Sequence, residues 1–265
     1  MPFFRKIPRP LLILATLVGF GLLRGPYEDG LRKQFIEARL LLPPPGRTAM
    51  SQMSQSALIG TLGGLRSLAS TILVLKAFDH FSNKEWADLN RCYKMITNLE
   101  PRDESHWASV IWHIGINATA SVQFNESIPL FERKRLYHEY AQEAIRLGRA
   151  GLEQLPDSVP IRLQLAEVYK GRLKDYCASA QLYKEMVGLP GCPAYAVRFH
   201  GYFLANCPGK EQEAYDYLMN LYRQGDKHHL PSLFVAIKKM EMALNIPSSQ
   251  RIPDIEKSRP GKRSR

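Results

Sequence analysis

Residues 137–158 read YHEYAQEAIRLGRAGLEQLPDS. The apolar residues recur at three- and four-residue spacing, the signature of a helix with one buried face. Ala144 and Gly151 put small side chains on that face. Pro156 ends the helix, because proline lacks an amide proton and clashes with the preceding turn. The next helix supplies Leu165, Ala166 and Tyr169. Small residues let two helices approach closely, an aromatic residue fills the wedge between neighbouring pairs, and a proline closes each second helix.

The same grammar recurs on both sides. In EWADLNRCYKMITNLEP (85–101), Pro101 closes a helix whose inward positions are Leu89, Tyr93 and Ile96, and Trp107 opens the following unit with an aromatic side chain. Downstream, Pro190 closes SAQLYKEMVGLP with Ala178 and Leu182 in register. EQEAYDYLMNLYRQGD offers a fourth second helix carrying Ala214 and Leu218, and residues 231–246 suit a capping helix. The unit closed by Pro156 is over-long, with an insertion around 121–134. On these positions the chain resembles the tetratricopeptide-repeat superfamily, whose unit is a 34-residue helix pair. The block from GGLRSLAS through EWADLNRCYKMITNLEP to HWASVIWHIGIN is also similar to a group of bacterial membrane-anchored proteins of this type, a resemblance that implies no reaction.

The expected fold is therefore all-α: a right-handed α-solenoid of about four degenerate helix pairs over 56–246. No NG or DG turn joins alternating strands. Before it stands 1–24, where Arg5, Lys6 and Arg9 precede the thirteen uncharged residues LLILATLVGFGLL (11–23), the outline of a signal sequence. Arg24-Gly25-Pro26-Tyr27 offers no cleavage site, so an uncleaved single-pass anchor is expected. The dense basic leader predicts transfer of the body to the periplasmic side, while the cations after the run leave the cytoplasmic side open. Residues 25–55 read as a stalk and linker, with an amphipathic helix over 31–42 stopped by Pro43-Pro44-Pro45-Gly46. Residues 56–75 are apolar enough to suggest a second span, but Arg66 near the middle would cost about 2.5–3.5 kcal/mol in a bilayer. A packed helix that buries its Leu and Ile is expected instead.

The formal net charge of +11 invites a nucleic-acid reading. Its distribution removes the invitation. Residues 1–50 hold 8 Lys/Arg against 3 Asp/Glu, 51–250 hold 22 against 20, and 251–265 hold 6 against 2. The body is nearly neutral, and no nucleic acid is expected as a partner. The tail 247–265 is polar and basic, and is expected to be disordered, with weak contact to anionic lipid or polymer.

Catalytic patterns are missing: there is no H-E-x-x-H, C-x-x-C, G-x-S-x-G or Walker loop. His106 and His113 sit two turns apart, about 10.5 Å along the axis, too far to share a metal. His228-His229 reads as a solvated helix start. Cys192 and Cys207 fall at opposite ends of one expected helix, about 22 Å apart, which leaves Cys177 free to pair with either. No cofactor, metal or catalytic residue is expected. Trp107 is expected in the core. Trp112, His113, Asn117, Arg162 and Tyr169 are candidate contacts for a protein or peptide partner on the first helices of the pairs. The expected function is a membrane-tethered, non-catalytic scaffold or adaptor. The alternative is an envelope carbohydrate- or lipid-binding protein, or an enzyme, using the Trp/His/Asn-rich stretch 106–117.

Overall fold

A computed structural model describes residues 65–253 and four upstream positions, Gly30, Lys33, Gln34 and Glu37, all helical and exposed. The expected anchor at 1–24, the rest of the stalk, residues 56–64 and the tail beyond 253 lie outside the described residues. The chain divides into two compact units, Met1–Gln52 and Met53–Arg265.

In the second unit the described residues are helical and carry no strand. The helices are α1 (Arg66–Ser82), α2 (Trp86–Leu99), α3 (Glu104–Trp112), α4 (Thr119–Gln123), α5 (Leu130–Gln154), α6 (Val159–Val168), α7 (Tyr176–Met186), α8 (Ala196–Leu204), α9 (Glu211–Arg223) and α10 (Pro231–Ala243). A π-helical segment, His113–Ala118, joins α3 to α4, and a second, Tyr169–Leu173, extends α6. No helix among the described residues is long and apolar enough to cross a membrane.

Local chemistry sets the helix starts. The Asp103 carboxylate accepts from the amide of Ser105, the Ser158 hydroxyl from that of Ile161, and the Asp175 carboxylate from that of Ala178. Each cap occupies one of the amides that have no partner in a first turn. Pro160 and Pro231 sit in first turns, where their missing donor costs nothing.

Neighbouring helices pack in sequence: α1 on α2, the α3–α4 stretch on α5, α6 on α7, α8 on α9, and α9 on α10. Contacts of α6 with α3 and α5, and of α7 with α8, link one pair to the next. One core includes Leu89, Tyr93, Ile96, Trp107, Ile114, Ala144, Leu165 and Tyr183, and a second includes Leu204, Ala214, Leu218, Leu233 and Ile237. Gly151, Leu182 and Ala166 are buried as the spacing required, whereas Ala178 is half-buried. Pro101 is half-buried in the turn after α2, and Pro156 and Pro190 are exposed in turns. The insertion becomes the loop after α4 and the extra opening turns of α5, which runs for 25 residues.

Four expectations are corrected. First, α1 buries Ala77 and half-buries Leu73 and Val74, but Leu65, Leu68, Ile72, Leu75 and Phe78 are 53–65% exposed. A helix that is apolar on two faces has buried only one of them. Second, His228 is buried and His229 half-buried, its ring 4.5 Å from that of Tyr222, so the pair is packed and not a solvated start. Third, α8 spans only Ala196–Leu204, leaving Cys192 and Cys207 in the flanking turns, and Cys207 bonds to Cys177 across a Cα–Cα distance of 5.0 Å. Fourth, the tail is docked as far as Ile252, which is 5% exposed. The Ile252 amide donates to the Glu241 carboxylate at 2.6 Å and its carbonyl accepts from Lys238 Nζ.

Candidate functional site

The stretch 106–117 is built where α3 passes into its π segment. A π turn holds one more residue than an α turn, so its carbonyls are left poorly matched along the axis, and such bulges often coincide with functional positions. Side chains take up the slack. Thr119 Oγ1 donates to the Gly115 carbonyl at 2.7 Å, and the Arg172 guanidinium donates to the carbonyls of Ile116 at 3.1 Å and Gly115 at 3.4 Å. Arg172 belongs to the second π segment, so the two irregular stretches are tied together.

Gly115 is required at that crossing. A Cβ there would stand 2.5 Å from Val168 Cγ2 and 2.9 Å from Ala144 Cβ, so three helical stretches meet on the missing side chain. The same close approach occurs at Gly148 against Leu165 and at Gly201 against Leu218.

Three of the candidate contacts come together. The His113 ring lies 5.1 Å from that of Trp112, 4.8 Å from Phe81 and 5.6 Å from Tyr93, and its Nδ1 is 3.3 Å from Asn117 Nδ2. Burial among these rings pushes the His113 pKa down, which keeps the imidazole neutral at physiological pH. Trp112 is 44% exposed, whereas Trp107 is 6% exposed and donates its indole N–H to the Pro101 carbonyl at 3.0 Å. Five residues along a helix is a rotation of about 140°, which separates the two tryptophans onto different faces.

Arg162 and Tyr169 are engaged elsewhere. Arg162 donates to the Ser158 carbonyl and stands 3.5 Å from Glu185, and the Tyr169 hydroxyl accepts from Arg149 at 3.1 Å. Both serve the packing of α6 and α7 with their neighbours.

A hollow of about 670 Å³ opens beside this region, lined by Phe81, Ser82, Lys84, Trp86, Asn117 and Phe124. A smaller one, about 270 Å³, has Lys184, His200, Glu213 and Tyr217 in its wall. His200 Nδ1 lies 2.9 Å from the Ala180 carbonyl, its hydrogen-bond acceptor, and burial lowers the ring's pKa.

Two clusters among the described residues put three ligand atoms within 4.8 Å of one another: His80, Glu85 and Asp88, and Glu100, Asp103 and His106. In each the histidine is already bonded to a carboxylate, His80 to Glu85 at 2.5 Å and His106 to Glu100 at 2.9 Å. Burial raises the Glu100 pKa, but hydrogen bonds from Ser70, His106 and Ser67 outweigh it and hold the carboxyl below its ordinary value. Both histidine–carboxylate contacts sit at helix ends. Apolar spacing in the sequence does not reveal the π segments, Arg172 or the exposed Phe124, Leu130 and Phe131. One extra residue in a turn only shifts the phase of the apolar pattern, and Gly115 and Gly171, one in each π segment, are the local signal of irregular helix.

Compared with known proteins, the chain matches no family model, no curated protein and no solved structure.

Proposed function

We propose that this chain is a non-catalytic helical-repeat scaffold of the tetratricopeptide-like kind, held at a membrane by its N-terminal apolar run, whose body binds a protein or peptide partner. Succession of the helix pairs supports the repeat reading: glycine and alanine sit at the crossings, and each pair touches the next. Stacked pairs of this kind present their first helices as one extended surface, which becomes a right-handed solenoid as the pairs accumulate.

The observation that carries the binding role is Trp112. A tryptophan 44% exposed on a first helix and set against His113, whose ring in turn contacts the Asn117 amide, is the kind of rigid aromatic anchor that dominates protein interfaces. Crosslinking in the native host, detergent extraction and capture of the full chain test the reading. A stoichiometric partner that Trp112→Ala loses, with the melting temperature unchanged, is the expected result. Equal recovery by Trp112→Ala, or retention of glycan with no protein, overturns it.

A further inference from the structure

Leu65, Leu68, Ile72 and Leu75 follow each other at intervals of three, four and three residues, so their side chains form one seam along α1. Phe78 extends it, and all five are more than half exposed. The opposite face of α1 is already spent on α2. A second group of exposed apolar side chains lies around the loop after α4: Phe124 is 77% exposed, Leu130 59% and Phe131 80%. The end of α1 and the loop both reach the larger hollow, whose wall contains Ser82, one turn past Phe78, and Phe124.

Charges of both signs border this surface, with Asp79 and Glu126 exposed among three lysines. Lys84 shares the wall of the hollow, and Lys76 and Lys134 are exposed on α1 and in the first turns of α5. Apolar side chains beside lysines on an exposed helix and an adjoining loop match an element that lies in the interfacial layer of a bilayer, with its apolar face sunk about 5–10 Å and its cations at the headgroups. The length of α1 agrees. Seventeen residues interrupted by Lys76 and Asp79 are too short and too polar to cross a bilayer.

We propose that the outer face of α1 and the loop from Phe124 to Phe131 rest on a phospholipid surface that contains anionic headgroups. The proposal rests on the membrane-tethering part of the proposed function, because 41 residues, 24–64, separate the end of the apolar run at position 23 from Leu65, which caps α1. A tether of that length keeps α1 at high effective concentration beside the bilayer that holds the anchor. Docking would then orient the body, leaving Trp112 and the remaining first helices for a partner.

The test uses the full chain carrying benzoylphenylalanine in place of Leu68, Phe131 or Val235, the last an exposed apolar residue of α10. Each protein is reconstituted into phosphatidylcholine vesicles with or without phosphatidylglycerol, floated on a gradient and irradiated. Lipid adducts at positions 68 and 131, several-fold above those at 235, are expected. Phosphatidylglycerol should raise them, and Lys84→Asn with Lys134→Gln should abolish that rise. A chain that floats but gives equal adducts at all three positions, or crosslinks at 68 and 131 only to a second copy or to another protein, overturns the lipid surface and leaves the anchor standing. A chain that does not float overturns both.

Discussion

Asn90 on α2 donates its side-chain amide to the Glu143 carboxylate on α5 at 2.9 Å, and Lys94 and Arg146 close on the same carboxylate at 2.7 and 2.5 Å. Consecutive helix pairs are thereby tied by one half-buried acid. Burial pushes the Glu143 pKa up, but the three donors overcome it and bring the carboxyl down to about 2. The folded value lies below the unfolded one, so its stabilisation is complete above roughly pH 4.5 and is lost as pH falls toward 2. Glu143→Gln should cost on the order of 2–3 kcal/mol at pH 7 and little at pH 2. Urea midpoints across that range check it, and a cost independent of pH counts against the assignment.

Gly115→Ala should destabilise the fold by about 1–3 kcal/mol, although alanine is the better helix former. The Cβ has no room, because Val168 is stiff at its branch point and Ala144 Cβ is fixed to its backbone. Gly171 in the second π segment has no atom within 4 Å of a Cβ, so Gly171→Ala should be neutral or stabilising. Thermal melts of the two variants separate packing from backbone propensity.

The two tryptophans should divide by role. Trp107→Ala removes a buried ring and orphans the Pro101 carbonyl, a loss of about 3–5 kcal/mol. Trp112→Ala removes a half-exposed ring and should cost less than about 1 kcal/mol. Similar melting shifts for both would place Trp112 in the core and remove it as a contact.

The Cys177–Cys207 bond joins the start of α7 to the turn after α8 and closes a loop with a sequence separation of 30. Denatured but unreduced protein should titrate two thiols, Cys92 and Cys192, and reduced protein four. By chain entropy, Cys207→Ser should lower stability by roughly 3.5 kcal/mol. Four titratable thiols before reduction would contradict the bond.

What the sequence revealed was the part of the fold that is periodic. Ala144, Gly151, Leu165 and Ala214 were legible as inward positions because helix packing repeats every three or four residues, and Pro156 was legible as a stop because its chemistry is local. The outer face of α1 was not, since Leu68 and Leu73 look alike until α2 covers one of them. The pairing of Cys177 depended on how far α8 extends, which two short turns decided. At the site, grouping Trp112, His113 and Asn117 needed only helical spacing. The engagement of Arg162 with Glu185 and of Tyr169 with Arg149 required contacts between helices, which spacing along one helix does not encode.

Glu241 gives the last test. Its carboxylate is wholly buried on α10, with one oxygen accepting from the Ile252 amide and the other 3.4 Å from Lys238 Nζ. Ile252→Ala keeps that amide and loses only apolar burial, so it should cost about 1–3 kcal/mol. Ending the chain after Pro247 also strips the amide from a buried charge, an added penalty of about 1–3 kcal/mol. The truncated chain should therefore melt below Ile252→Ala, and Glu241→Gln should narrow that gap because a neutral amide tolerates the loss of a donor better than a carboxylate. Equal melting of the truncated chain and Ile252→Ala would mean that the tail docks through its isoleucine alone.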